Sequence, residues 1–201
     1  MYTIFLNTLP RAEITKNNIQ IRTIDNFSNS EIILKKNENV IFIGMIPKKD
    51  SIKQVLTFKL KGEGAQLRCY LITLGKGENN QNLETIVEHS AKNTSAEMII
   101  KSLQLDSSSL NYSGSIVIPP ASDNTTSFLR HDVLLLSKDA KIRTIPALEI
   151  ETDDVKASHS VSIGKLDEED MFYLESRGFD SNDAKRLLMK AFIEEILGRF
   201  P

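Results

Sequence analysis

Histidine and cysteine are the residues of this chain best suited to bind a transition metal, and the sequence contains three histidines and one cysteine. The most informative of them is His159, which ends a stretch that begins at Asp153, near the C-terminal end of the β-prone part of the chain. A neutral imidazole is a competent ligand of transition-metal ions. A lone histidine on a strand is, however, more often a structural residue with hydrogen-bonded ring nitrogens. On chemistry alone, both interpretations of His159 remain open.

The other two histidines are weaker ligand candidates. His89 lies in the stretch Glu88-His89-Ser90-Ala91 and is interpreted as structural. His131 lies between Arg130 and Asp132, and either neighbour could simply pair with it.

Two groups of carboxylates could also do chemistry. Glu168 and Glu169 could supply a metal ligand, but they lie in the first turn of a predicted helix, where the helix dipole already explains acidic residues. Asp153 and Asp154 could serve as the acid and base of a glycosidase. Adjacent residues on a strand point to opposite faces, so this second pair cannot easily converge on one bond.

Cys69 is the single cysteine of the chain. It excludes an internal disulfide framework and any multi-cysteine metal cluster built from this chain alone. Residues 66–71 alternate as a strand does, and this pattern predicts that Cys69 is a small buried hydrophobic residue rather than a reactive thiolate.

Three polar stretches are predicted to be turns. Residues 75–82 contain glycine and lysine but lack the Gly-Lys-Ser/Thr ending of a phosphate-binding loop, so we expect a plain exposed turn. Residues 107–109 and 123–126 have ordinary turn composition, with side-chain oxygens that can satisfy nearby backbone amides. None of the three suggests an active site.

The composition is that of a globular protein. The 201 residues are 40% hydrophobic and 26% charged, which is enough to bury a substantial core. The formal net charge of -2 gives no overall attraction to nucleic acid or to an anionic membrane, and neither is expected as a partner. The apolar N-terminal run has no basic flank and is interrupted early, so it does not read as a signal peptide, and a cytoplasmic protein is the simplest expectation.

Short β-prone runs fill the first three quarters of the chain, and each is followed by turn residues. Several alternate apolar and polar residues as a half-buried strand requires. A β-sandwich and a parallel β-helix both fit this pattern, and without a strict short repeat the sequence does not separate them. The predicted strands cover residues 19–24, 40–46, 55–60, 67–74, 83–87, 98–105, 115–118 and 134–136.

The pattern changes to a helical period after residue 163, so we predict a β-rich domain over 1–163 and a helical domain over 164–201. Asp167 can cap a first helix that ends near Arg177 and Gly178.

Asp180 or Ser181 can cap a second helix over residues 182–197. Its predicted apolar stripe either covers the end of the β body or binds a partner, and its predicted solvated side carries charged residues. The stripe consists of Ala184, Leu187, Leu188, Ala191, Phe192 and Leu197, and the solvated side of Lys185, Lys190, Glu194 and Glu195.

From about residue 83 to residue 197, the chain resembles the core domain of the SufB/SufD iron-sulfur cluster assembly scaffold proteins. The C-terminal part is the most specific, and residues 1–82 fit only as a β-rich continuation. The motifs that carry the resemblance are Glu88-His89-Ser90-Ala91, Asn93-Thr94-Ser95, Ser113-Gly114-Ser115-Ile116-Val117-Ile118, Leu134-Leu135-Leu136-Ser137, Pro146-Ala147-Leu148-Glu149-Ile150, the stretch from Asp153 to His159, and Leu166-Asp167-Glu168-Glu169 with Phe172-Tyr173-Leu174 and Arg177-Gly178.

The resemblance implies a right-handed parallel β-helix followed by a small C-terminal α-helical domain. It also implies a scaffold that is not an enzyme by itself, that pairs through the β-helix with a SufB-type sister subunit or a second copy, and that assembles a transient iron-sulfur cluster at the subunit interface. A SufC-like ABC ATPase is expected to bind the terminal helices. The residues assigned to partner binding are Phe172, Tyr173, Leu187 and Phe192.

The terminal motif is closer to the SufD type than to the SufB type. His159 lies where SufD-like members place the histidine of the cluster-assembly interface, so the resemblance makes His159 an expected metal ligand. Glu168, whose carboxylate could lie near that interface, is the second expected ligand. Residues 137–145 contain no cysteine, and the chain therefore lacks the sulfur-accepting thiol expected of a SufB-type subunit. It also lacks the N-terminal helical region of longer members, which indicates a compact member or a fragment. The alternatives are a carbohydrate-active β-helix enzyme and a purely structural interaction protein.

Overall fold

The structure is a computed structural model that describes residues 14–16, 19–24, 29–46 and 53–198. Within these ranges, twelve strands precede two helices. The strands are β1 (Ile14–Lys16), β2 (Ile19–Ile24), β3 (Ser30–Leu34), β4 (Asn39–Ile46), β5 (Lys53–Leu60), β6 (Gln66–Gly75), β7 (Asn80–His89), β8 (Ser95–Gln104), β9 (Ser109–Ile118), β10 (Thr125–Leu135), β11 (Lys141–Ile150) and β12 (Val155–Lys165). The helices are α1 (Glu168–Ser176) and α2 (Ser181–Leu197).

Consecutive strands from β3 onward alternate between two sheets. A seven-stranded sheet, here called sheet A, has the order β1-β2-β4-β6-β8-β10-β12, and a five-stranded sheet, sheet B, has the order β11-β9-β7-β5-β3. All neighbouring strands are parallel except β1 and β2. A chain that adds one parallel strand to each sheet in every turn is a β-solenoid, so the parallel β-helix is confirmed and the sandwich is wrong.

Left-handed residues build one corner of the solenoid. Asn37, Gly64, Asn93 and Asn124 have φ values of 57°, 73°, 58° and 55°, and they occupy the corner between the sheets in successive turns. Glycine and asparagine tolerate this conformation best. A hydrogen bond also joins two successive corners: Asn124 Nδ2 donates to Asn93 Oδ1 at 2.7 Å. The turn composition of the sequence therefore fixes where each coil bends.

The main core lies between the two sheets, where Phe42 and Phe58 pack edge to face with ring centroids 5.1 Å apart. Strands β7 and β9 alternate buried and partly exposed residues, because the outer face of sheet B is open. Most of β6 and β8 is buried on both faces. A second core explains this, since α2 packs Met189, Ile193 and Ile196 on the outer face of sheet A.

The predicted strands all fall on or very near observed ones, but two conclusions from the pattern were wrong. The run at 134–136 is the end of β10, which begins at Thr125, and β1, β3, β11 and β12 were not among the predicted strands. Residues 75–82 are not a plain exposed turn: Asn79 and Gln81 are buried, and Gln81 Oε1 accepts from Gln104 Nε2 at 3.3 Å inside the solenoid.

The predicted helix caps are confirmed. Asp167 caps α1 by accepting from the Glu169 amide at 2.8 Å, and Asp180 caps α2 by accepting from Asn182 and Asp183. Gly178, just beyond α1, has a φ of 94°. The domain boundary after residue 163 remains a prediction, and it falls two residues before the end of β12.

The predicted stripe of α2 was wrong in part, although Ala184 is buried and Phe192 and Leu197 pack against the second core. The buried residues are Ala184, Met189, Ile193 and Ile196, whereas Leu187 of the predicted stripe is exposed. Apolar residues lie almost all around this helix, so the period alone could not select the packed side.

Candidate functional site

The last turn of the solenoid is open. Among the described residues, β11 and β12 are the outer strands of their sheets, and no further turn packs against their inward rows. Leu148, Ile150 and Ile163 are 45%, 40% and 50% exposed. Their register partners in the preceding turn, Ile116, Ile118 and Val133, are 0%, 0% and 2% exposed. This end therefore combines unpaired strand edges with an apolar surface, which suits pairing with another chain.

His159 lies on β12 in an inward-facing row of sheet A. Its register partner is Leu129, which belongs to the main core. The ring is half-buried, and both ring nitrogens are buried without a hydrogen-bond partner among the described residues. Burial lowers the pKa of His159, so the imidazole is kept neutral. A neutral, unpaired imidazole at the open end of the fold can bind a metal ion.

Gly114 makes room for the ring of His159. A Cβ at position 114 would lie 3.0 Å from His159 Cε1 and would collide with the hydroxyl of Tyr112. That hydroxyl shares a hydrogen bond of 2.7 Å with Thr85, and burial raises the pKa of Tyr112 well above its usual value. Tyr112 is therefore a neutral neighbour of His159.

His131 lies on β10, the strand next to β12, and its side chain is fully buried. Its ring contacts that of Tyr112 with centroids 4.5 Å apart, and its Nε2 is 2.8 Å from Ser102 Oγ. The expected pairing with Arg130 or Asp132 was wrong. These two residues alternate with His131 on the outward face and form an ion pair of 3.2 Å with each other.

His89 is confirmed as a structural residue. Its Nδ1 is 2.8 Å from Thr94 Oγ1, and its Nε2 is 3.0 Å from Ser127 Oγ. Burial lowers the pKa of His89 to about 4. Both ring nitrogens are used within the fold, so neither is available to a metal.

Cys69 is buried as predicted, and burial raises the pKa of its thiol well above the usual value. It lies in the same inward row as His159, with Met98 and Leu129 between them. Three strand spacings separate the two by about 14 Å, so Cys69 and His159 do not share a metal ion.

The candidate carboxylates are not brought to His159. Glu168 is exposed on α1 and lines a depression of about 730 Å³ together with Lys138, Lys165 and Lys185. Its role as a ligand remains a prediction. Asp153 and Asp154 are exposed in the turn between β11 and β12, outside the inward rows.

The four residues assigned to partner binding have different surroundings. Phe172, Tyr173 and Leu187 are 73%, 56% and 42% exposed. Phe192 is partly buried against the second core, and Lys101 Nζ lies 4.7 Å from the centroid of its ring. The first three can form a docking surface, whereas Phe192 already helps to hold α2 on sheet A.

Ion pairs hold α2 against the solenoid. Lys101, which is nearly buried, lies 2.7 Å from Asp132 and 2.9 Å from Glu195, and Arg130 pairs with the same Glu195. These partners lower the pKa of Glu195 to about 2, with the hydrogen bond from Arg130 as the main cause. Since Arg130 and Asp132 flank His131, the helix is fastened at the strand beside the one that carries His159.

The fold and this open end define a class of protein: a parallel β-solenoid with two terminal helices and a histidine at its exposed edge. Residues 4–192 match the family described as "SUF system FeS cluster assembly, SufBD core domain". The match covers most of the chain. The chain therefore belongs to the SufB/SufD family, as the resemblance indicated.

Curated relatives of both types match. The iron-sulfur cluster assembly protein SufD of Escherichia coli (strain K12) is 26% identical over 85% of this chain and 40% of its own length. SufD of Bacillus subtilis (strain 168) is 28% identical over 79% of this chain and 36% of its own length. SufB of the same strain is 32% identical over 71% of this chain and 30% of its own length. The chain thus spans well under half the length of these relatives. Neither described helix is long and apolar enough to cross a membrane.

Proposed function

We propose that this chain is a SufD-like scaffold subunit of an ATPase-driven iron-sulfur cluster assembly complex in the cytoplasm. The observation that carries the proposal is the pair of unpaired ring nitrogens of His159 at the open end of the solenoid. The cluster is the cargo of such a subunit, and the subunit itself performs no turnover. The SufD and SufB relatives support the proposal by their names.

The residues present fit a role in binding iron. The imidazole of His159 is neutral and has no hydrogen-bond partner among the described residues. It can therefore offer a lone pair to a metal ion without first breaking a hydrogen bond. Groups of three or more histidine, cysteine, aspartate or glutamate residues that could hold a metal ion do not occur among the described residues. The site is therefore completed by ligands from another chain.

The open end is the proposed pairing surface. Strands β11 and β12 can extend both sheets into a second subunit, and burial of Leu148, Ile150 and Ile163 would stabilise the pair. The second subunit is either a SufB-type sister that supplies a thiolate or a second copy of this chain. In both cases His159 would lie at the interface.

The terminal helices are the proposed docking site of an ABC-type ATPase. Helix α1 has no buried residue, and Phe172 and Tyr173 project from it with most of their surface exposed. Large exposed aromatic residues are enriched where proteins bind one another. Because Lys101 and Arg130 fasten α2 to sheet A, movement of a docked ATPase would be transmitted to the solenoid.

An anaerobic affinity purification of the tagged chain from its source cells tests this function. We expect an ABC ATPase to copurify, together with iron and sulfide, and Phe172→Ser with Tyr173→Ser to lose the ATPase. Glu175→Ser, an exposed change on the same helix, is the matched control and should retain it. A folded, soluble bait that recovers neither an ATPase nor a sister scaffold would contradict the proposal.

The structural interaction protein is the alternative that this purification also addresses. If the chain were only a structural interaction protein, the complex would form normally and would contain the same amounts of iron and sulfide after His159→Ala. A carbohydrate-active enzyme predicts polysaccharide cleavage, and the exposed turn that carries Asp153 and Asp154 offers no enclosed site for it.

A further inference from the structure

Two histidines with unpaired nitrogens face the same part of the solenoid interior. His131 on β10 and His159 on β12 lie on neighbouring strands, where His159 is the register partner of Leu129, two residues before His131. Their side chains are therefore diagonal neighbours on one face of sheet A. Tyr112 and Gly114 of sheet B oppose them: the ring of Tyr112 contacts His131, and the position of Gly114 adjoins both Tyr112 and His159.

This region contains a cluster of buried polar atoms without hydrogen-bond partners among the described residues. They are Nδ1 of His131, both ring nitrogens of His159, and Oγ1 of Thr144, the register partner of Tyr112 on β11. Buried polar atoms are nearly always paired in folded proteins, and each exception requires an explanation. Four such atoms from three adjacent inward-facing side chains indicate that something outside the chain satisfies them.

The hydrogen bond of His131 orients it as a ligand. Ser102 Oγ accepts from Thr73 Oγ1 at 2.8 Å and has a second lone pair for the Nε2–H of His131, also at 2.8 Å. When His131 donates from Nε2 to Ser102, the ring proton lies on Nε2 and a lone pair remains on Nδ1, which is the tautomer that a metal ligand needs. Metal-bound histidines characteristically donate their other ring N–H to a fixed acceptor, which sets the tautomer and the ring orientation. His89, in contrast, uses both ring nitrogens within the fold.

We propose that His131 Nδ1 and a ring nitrogen of His159 together bind one divalent transition-metal ion, with Thr144 Oγ1 as a neutral oxygen donor. The choice of ferrous iron as the natural metal rests on the proposed function, whereas the two-histidine site does not. Two imidazoles and a hydroxyl leave coordination positions open towards the exposed end of the solenoid.

The charge of the site predicts its remaining ligand. An imidazole that binds a metal ion is neutral, a threonine hydroxyl is a neutral donor, and the carboxylate of Asp132 faces outward to Lys101. A divalent cation would therefore keep an uncompensated charge in a partly buried site, and this disfavours binding until an anion joins it. Thiolate and sulfide are soft anions, and such anions are favourable ligands of a transition-metal ion. The site is thus expected to bind metal weakly alone and tightly with an added thiolate.

Anaerobic titration of the isolated chain with Co²⁺, with and without 2-mercaptoethanol, tests the site by visible absorption. We expect one equivalent of Co²⁺ to bind, with affinity increased by the thiol and a sulfur-to-cobalt charge-transfer band in its presence. His131→Gln and His159→Gln should each weaken Co²⁺ binding about tenfold or more. Ser160→Ala, an exposed change on β12, should leave the binding curve unchanged.

A second measurement avoids the risk that His131→Gln fails to fold. Pulsed electron paramagnetic resonance of the wild-type chain loaded with Cu²⁺ counts the bound imidazoles, and we expect two. One imidazole, or His131→Gln binding Co²⁺ like the wild type, would overturn the two-histidine site and assign the unpaired atoms to buried water. Recovery of the ATPase in the affinity purification would be unaffected by that result, so failure of this site and failure of the proposed function are distinguishable.

Discussion

Two parts of the solenoid interior contain buried histidines, and they differ in how the ring nitrogens are used. At the corner between β7 and β8, both ring nitrogens of His89 are hydrogen-bonded to hydroxyl groups. Near the open end, one ring nitrogen of His131 and both ring nitrogens of His159 have no hydrogen-bond partner in the part of the chain that the structure describes. Burial lowers the pKa of His89 and of His131 alike, to about 4 in each case.

Burial and a lowered pKa therefore do not by themselves mark a functional histidine. Desolvation acts on any buried imidazole. What distinguishes the open end is an unused nitrogen beside an exposed strand edge.

Replacing His89 should damage the fold. His89→Ala leaves a cavity, removes the ring partner of Ser127 and removes one of the hydrogen-bond partners of Thr94, so we expect the free energy of unfolding to fall by about 4 kcal/mol. Urea denaturation followed by circular dichroism measures it. If the free energy of unfolding fell by less than about 1 kcal/mol, the corner between β7 and β8 would not depend on the hydrogen bonds of His89.

Acid should destabilise both regions in the same pH range. The pKa of His89 and of His131 is about 4 in the folded chain and 6.5 in the unfolded chain, so the unfolded state binds protons first. Their contribution to stability is complete above pH 6.5 and falls towards pH 4, by about 3 kcal/mol for each histidine. Urea denaturation across this range measures the fall. A flat profile would contradict the burial of both rings.

Filling the space at position 114 should disturb the open end alone. Gly114→Ala places a Cβ against the Tyr112 hydroxyl and the His159 ring, and we expect a loss of about 2 kcal/mol in the free energy of unfolding. The nuclear magnetic resonance signals of His159 should shift while those of His89 do not. Gly164→Ala, where the nearest atom would be 3.8 Å away, is the matched control. Equal shifts at both histidines would contradict the local effect.

Replacing His159 should leave the fold nearly unchanged. The ring is half-buried and makes no hydrogen bond within the described residues, so His159→Ala is expected to cost about 1 kcal/mol or less. Urea denaturation beside His89→Ala measures the contrast directly. A cost as large as that of His89→Ala would make His159 a structural residue.

The features that sequence predicts well are those set by local chemistry. The caps at Asp167 and Asp180 depend on a side chain and the amides that follow it, and both were found. The alternating strands β5 and β7 were also recognised, because one face of each is open. The parallel arrangement of the strands followed from the family resemblance, since periodicity alone fits a sandwich equally well.

The features that sequence missed depend on packing between distant segments. The packed side of α2 was misassigned because both sides of the helix are apolar, and only its position on sheet A selects Met189 and Ile193. The inward direction of His131 was missed because its neighbours Arg130 and Asp132 suggested a local ion pair. The alternation of β10 contained that information, since His131 is two residues from the apolar Leu129 and Val133.

The iron and acid-labile sulfide bound by the anaerobically purified complex report on the role of His159 at the open end. The complex would be prepared in parallel with the wild-type chain, with His159→Ala and with the control Ser160→Ala, and its subunit composition would be checked in each case. We predict that His159→Ala retains the partner subunits but loses most of the iron and sulfide, while Ser160→Ala retains both. An intact His159→Ala complex with the wild-type amounts of iron and sulfide would contradict the assignment of the open end as the assembly site.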